Sequence, residues 1–248
     1  MQHLCLEVSP KSLRFSIFNL EDKFVQKNGE LTLSGRVSEL KKEACSDFLR
    51  SEELLDFDGE VSLSYAGQKV TLVPQAIFGE SSAKEIFNLC FDQSAEQIEH
   101  NRFYEQTMVV VYEIESWIKR FFVLRYPRII IQHEVTHLLR GIFKEPSFDA
   151  KLHLIPSDSF FTLILTSKNK IDFFNTFDFT NAEDLFYYVN YAWTNTFSKD
   201  KKVVLSWHSD SENDVLFHQF YSLFEKQFVA ETFIIKRTSK IIHQLLCV

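Results

Sequence analysis

Glycine is scarce in this chain. Its 248 residues contain 6 glycines, where average usage near 7% would give about 17. They stand at Gly29, Gly35, Gly59, Gly67, Gly79 and Gly141, and none follows Gly141. The scarcity excludes several activities. There is no GxGxxG fingerprint, no Walker-type phosphate loop and no GxSxG nucleophile elbow. Cysteines are equally few. Cys5, Cys45, Cys90 and Cys247 are far apart and form no CxxC pair, so a secreted disulfide framework is not expected, and a reducing compartment fits. No uncharged apolar run approaches the ~18 residues that span a bilayer. The start, MQHLCLEVSP, lacks the charged and apolar regions of a signal peptide, so the expected location is the cytoplasm. The formal net charge is -7. A basic stripe is missing: Lys199, Lys201 and Lys202 are broken by Asp200, so nucleic acid is not an expected partner.

What is present is an apolar, aromatic core. Hydrophobic residues make up 45% of the chain, and 26 residues are Phe. Rings of this kind suit sheet faces covered by helices. LCLEV (4–8) reads as a strand, and SLRFSIFN (12–19) alternates with Leu13, Phe15 and Ile17 on one face. KFVQKNGELTL (23–33) reads as a third extended segment, followed by a helix over 37–50 with Leu40, Ala44, Phe48 and Leu49 inward. EVSLSYAGQKVTLVP (60–74) predicts a hairpin bent at Ala66-Gly67-Gln68. A short helix over 83–89 precedes a polar stretch, 93–106, read partly as loop. A buried strand over 108–114, a helix over 116–127, a strand over 128–132 and a helix over 133–143 follow.

From Lys151 the opening pattern returns. KLHLI, SFFTLILT and KIDFFNTFDF are three extended segments joined by short turns. A helix over 182–197 starts at a Thr180 or Asn181 cap, with Glu183 and Asp184 in its first turn. Then come a strand (202–207), an amphipathic helix (211–228) with Val215, Phe217, Phe220, Phe224 and Phe228 inward, a strand (231–235) and a helix (237–246). The order of three strands, helix, strand, helix, strand, helix thus occurs twice. It predicts units at 1–146 and 147–248, the first interrupted by the 60–74 hairpin.

Three stretches carry a resemblance: KVTLVPQAIF (69–78), VVYEIESWIKRFFVLRYP (110–127) and TFDFTNAEDLFYYVNYAW (176–193). On these the chain resembles an uncharacterised bacterial family with an actin-like ATPase fold. The resemblance implies an α/β protein of two ribonuclease-H-like units, each a mixed sheet of three antiparallel strands continued by parallel strands, with helices on the faces. More distantly the plan resembles actin-like cell-division and pilus-assembly proteins, which act by binding partners.

In actin-like ATPases the turns between the first two strands of each unit cradle the phosphates, and bare amides are needed there. Here the first turn reads Glu7-Val8-Ser9-Pro10-Lys11-Ser12 and the second Pro156-Ser157-Asp158, neither with glycine. Pro10 removes a donor, and Asp158 repels a phosphate. The resemblance puts Glu7 where a metal-orienting aspartate belongs. The residues left as cleft candidates are Glu7, Ser9, Lys11, Ser12, Ser157, Asp158 and Ser209. No ATP or magnesium site is expected from them. The tyrosine-rich run Phe186, Tyr187, Tyr188 and Tyr191 is read as core and groove lining, because stacking platforms for bases need basic company.

One metal motif is literal. His133-Glu134-Val135-Thr136-His137 is HExxH, which on a helix ligates zinc through both imidazoles with the Glu as general base. Against this, His133 falls at a strand-to-helix junction. Arg140 and Phe143 stand where the extended motif has its glycine and third histidine, and only the remote Glu183 offers a further ligand. The competing assignment is a capping His133 beside a first-turn Glu134, and zinc is not expected. The favoured reading is therefore a non-catalytic module that binds a protein partner or itself. The alternatives are a divergent nucleotide or small-molecule binder and a zinc hydrolase using His133 and His137.

Overall fold

The computed structural model describes all residues except 1, 22–23, 36, 80–81, 92–94, 96, 145–146, 158, 198–202, 211–213, 228–232 and 246–248. The chain divides into two compact units, Met1–Leu139 with Gln244–Val248, and Arg140–His243. The boundary expected at 146 lies outside the described residues, and the last residues return to the first unit.

The first unit opens with β1 (Gln2–Val8), β2 (Ser12–Asn19) and β3 (Phe24–Thr32), then α1 (Ser38–Ser51) and β4 (Glu60–Tyr65). β5 (Val70–Pro74), α2 (Ala83–Cys90), β6 (Ile98–Phe103) and β7 (Met108–Glu113) follow. α3 (Ser116–Arg125), β8 (Ile130–His133) and α4 (Glu134–Phe143) complete the run. The main sheet is five-stranded in the order β3-β2-β1-β4-β8. β1–β2 and β2–β3 are antiparallel, whereas β1–β4 and β4–β8 are parallel. Burial explains the order. β1 and β4 are buried on both faces and take the centre, while β3 is largely exposed and forms an edge.

The second unit repeats this plan. It contains β9 (Ala150–Pro156), β10 (Phe160–Ser167), β11 (Lys170–Asp178), α5 (Ala182–Thr196), β12 (Val203–His208), α6 (Val215–Gln227), β13 (Phe233–Thr238) and α7 (Lys240–Leu245). Its sheet order is β11-β10-β9-β12-β13, with the same antiparallel and parallel pairings. Leu152, Leu163, Leu185, Trp193, Trp207 and Phe220 meet in its core. Asn181 caps α5 by accepting from the Asp184 amide at 2.9 Å, and Asp184 accepts in return from the Thr180 amide and hydroxyl. The β10–β11 turn, Lys168-Asn169, takes left-handed φ of 50° and 57° without glycine.

Several expectations are corrected. Residues 60–74 do not form a hairpin: β4 joins β1 and β8, and β5 joins β7 in a separate three-stranded sheet ordered β5-β7-β6. The reason lies at the bend. The Ala66 amide bonds Val8 O, and Gly67 bonds His133, so the segment between β4 and β5 is held by other elements. The polar stretch read partly as loop contains β6, whose main-chain pairing with β7 outweighs its polar side chains. In α1 the buried residues are Lys41, Cys45 and Leu49, and Leu40 is exposed. Val215 is exposed as well, while Phe228 lies outside the described residues. Arg237 lies in β13, so the last helix starts later than expected.

Candidate functional site

The β1–β2 turn is where the resemblance puts the phosphates. In this chain the turn is closed on itself. Ser9 Oγ accepts from the Lys11 amide at 3.1 Å and the Ser12 amide at 2.9 Å. It also lies 3.0 Å from Ser12 Oγ, and the Ser9 amide donates to Ser12 O at 2.9 Å. Ser9 and Ser12 are buried. A serine hydroxyl therefore occupies the amides that a phosphate would otherwise meet. Lys41 from α1 donates to Pro10 O at 3.2 Å and stands 3.8 Å from Glu115, which also accepts from Trp117 Nε1. This lysine pins the turn instead of projecting from it.

Glu7 sits directly across from Arg14 in the β1–β2 register, and the pair closes at 3.1 Å. Arg14 Nε also reaches Glu30 on β3 at 2.9 Å. Glu7 is thus one end of a cross-strand charge chain, Glu7–Arg14–Glu30. Lys11 is exposed beside it. Ser157 and Ser209 belong to the second unit, at the ends of the paired strands β9 and β12. The Ser157 amide donates to Phe160 O at 2.8 Å, and the Ser209 amide to Thr238 O at 3.0 Å. Asp158 lies outside the described residues.

The HExxH segment is split by secondary structure. His133 is the last residue of β8 and Glu134 the first of α4, so the two histidines do not share a helix. His133 Nδ1 accepts from the Val135 amide at 3.2 Å, and its Nε2 meets Gly67 O at 2.9 Å. With Nδ1 accepting, the ring proton belongs on Nε2, which donates to Gly67 O; the Gly67 amide lies farther from the same nitrogen, at 3.3 Å. Its own amide donates to Asn101 Oδ1, which also accepts from Thr136 Oγ1. Tyr65 and Tyr112 enclose the ring. Burial drives its pKa down to about 3. His133 therefore serves as a cap and a strut. Among the described residues, no group of three or more His, Cys, Asp or Glu is placed to hold a metal ion. Asn101 escaped sequence reasoning because it sits on the polar strand β6.

Two further polar clusters also escaped it. In the first unit His3 Nε2 lies 2.9 Å from Ser62 Oγ, and Glu60 lies 3.6 Å from His3 Nδ1. The order of groups is that of a Ser-His-Glu triad, but 3.6 Å is too long for the carboxylate–imidazole hydrogen bond a triad needs. Ser62, however, is 1% exposed, and Gln244 Nε2 donates to its Oγ at 2.8 Å and also to Leu6 O and Ser62 O. No reacting group reaches that hydroxyl, and the cluster is a buried clamp on the C-terminal Gln244. Beside it, burial raises the Cys5 thiol to about 12. In the second unit His153 Nδ1 lies 3.1 Å from His208 Nε2, and the His243 ring packs on His208. Burial lowers all three, His153 to about 3. Gly141 on α4 leaves the space that His243 fills.

The sequence profile of proteins of unknown function designated DUF3822 matches residues 1–227. The chain belongs to the DUF3822 family. No curated protein matches it. Among solved structures, this DUF3822 protein is similar to a Bacteroides thetaiotaomicron protein with actin-like ATPase fold and unknown function. That match has a TM-score of 0.83 at 16% identity, over 100% of this chain and 96% of that one. It is also similar to a chain of a PilM-PilN type IV pilus biogenesis complex, with a TM-score of 0.58 at 10% identity, over 97% of this chain and 89% of that one. A weaker likeness, TM-score 0.45 at 12% identity, is to an exopolyphosphatase from Cytophaga hutchinsonii, over 93% of this chain and 73% of that one. The fold is accordingly the actin-like ATPase fold. Among the described residues, no helix is long and apolar enough to cross a membrane.

Proposed function

We propose that this DUF3822 protein is a non-catalytic actin-like module of the cytoplasm that works by binding protein. The observation that carries this reading is the Ser9 hydroxyl on the Lys11 and Ser12 amides. Gripping a triphosphate at that turn would require breaking both bonds and uncovering two buried serines. The Glu7–Arg14 pair adds support, because a carboxylate engaged by a guanidinium is a poor partner for a metal–phosphate complex. A chain of similar fold occurs in the PilM-PilN complex, so the architecture is compatible with assembly.

The test is calorimetric titration of the purified chain with ATP and magnesium. The expected result is no saturable heat. Saturable binding at micromolar ATP would overturn the reading in favour of a nucleotide binder.

A further inference from the structure

We propose that the chain pairs with a second copy of itself along β11, the outer strand of the second sheet. This rests on the reading of the protein as a binding module and names the partner.

The duplication supplies an internal comparison. β3 and β11 hold the same place in their sheets, each paired on one side only among the described strands. The two edges are built differently. β3 reads FVQKNGELT, and its charges are engaged: Lys27 pairs with Glu52 at 3.0 Å and Glu30 with Arg14 at 2.9 Å. Charged side chains on an edge strand are a common guard against pairing with another chain. β11 reads KIDFFNTFD: its charges are Lys170, Asp172 and Asp178, and the run 173–177 between the last two is uncharged and holds Phe173, Phe174 and Phe177.

An aromatic surface runs beside that edge. Phe173 stacks on Phe177 (6.4 Å, 9°), and Phe177 stacks on Tyr188 of α5 (4.3 Å, 17°). Tyr188 meets Tyr187 edge-on at 5.3 Å, and Tyr187 stacks on Tyr191 at 6.4 Å. Tyr187 and Tyr191 are 63% and 61% exposed. Of the run expected as core and groove lining, Phe186 and Tyr188 pack on the core, whereas Tyr187 and Tyr191 do not. Large exposed rings beside a strand that is paired on one side only among the described strands are the composition of an interface centre.

The charge pattern selects a copy of this chain over an unrelated strand. Two antiparallel β11 strands related by a two-fold axis, with Phe174 facing Phe174, put Lys170 opposite Asp178. Symmetry makes that ion pair twice. The same register sets Asp172 against Thr176 and Ile171 against Phe177. Thr176 is prepared for the exchange. Its amide donates to Asn175 Oδ1 at 2.9 Å, so an outside carbonyl can replace a side-chain acceptor.

The test is sedimentation of the full chain over a dilution series, for wild type, Lys170→Asp, Asp178→Lys and the double exchange. All four are checked for an unchanged thermal melt. Both side chains are exposed, so folding is expected to survive. Wild type is expected to dimerise. Each single reversal should raise the dimer dissociation constant by about tenfold or more, and the double exchange should bring it back to within about threefold of wild type. A wild type that stays monomeric, a dimer indifferent to the reversals, or a double exchange that fails to restore pairing would each overturn the proposal. These outcomes are separate from the ATP titration: a monomer that ignores ATP removes the dimer and leaves the non-catalytic reading standing.

Discussion

Acid should unfold this protein through buried histidines, and His133 isolates the effect. In the folded chain its ring is held neutral, with a pKa of about 3 against 6.5 for a free histidine. The unfolded chain therefore takes up a proton that the folded chain refuses. Stability is full above pH 6.5 and is lost as pH falls from there toward 3. Where the unfolded form binds one extra proton, the slope is about 1.4 kcal/mol per pH unit. Between pH 6 and pH 4 His133 alone should remove about 2–3 kcal/mol, a sizeable share of the roughly 5–15 kcal/mol that a domain commands. The perturbation is His133→Asn, which keeps a side-chain oxygen near the Val135 amide but cannot titrate. At pH 7 it should be less stable by about 2–3 kcal/mol, from losing the Gly67 bond and the contacts with Tyr65 and Tyr112. Its loss between pH 6 and pH 4 should be smaller than that of wild type by about 2–3 kcal/mol. Urea unfolding followed by tryptophan fluorescence at each pH measures both. Parallel pH curves for the two proteins would refute the assignment of a neutral, buried His133.

Two more substitutions probe the remaining clusters. Ser9→Ala strips the acceptor from the Lys11 and Ser12 amides, and should lower stability by about 1–2 kcal/mol in thermal or urea unfolding without creating ATP affinity; an unchanged midpoint would count against the closed turn. Gly141→Ala puts a Cβ into the His243 ring, so despite the ~1 kcal/mol that alanine gains over glycine in a helix it should destabilise by about 1–3 kcal/mol; a stabilised variant would show that His243 packs elsewhere.

The duplicated strand–helix order was legible in the sequence because apolar alternation and capping are local. LCLEV, SLRFSIFN and their later counterparts announce their strands through side-chain period alone, and Asn181 announces its helix through hydrogen bonds within four residues. Glycine content is likewise local, and the absence of phosphate-cradling glycines could be read directly. What the sequence withheld were pairings between distant segments. Glu60–Pro74 has the pattern of a hairpin, yet β4 and β5 enter different sheets because a strand chooses its partner by which edge and core accept it. β6 is polar, and it is a strand because β7 offers it hydrogen bonds. Tyr187 and Tyr191 have helical spacing with Tyr188, but only packing decides which faces of α5 are covered. Composition and short-range pattern determined the elements and their repeat; tertiary structure alone decided the Lys41 bond that pins the Ser9 turn, the Gly67 bond that makes His133 a strut and the outer position of β11 among the described strands, because each depends on atoms from remote parts of the chain.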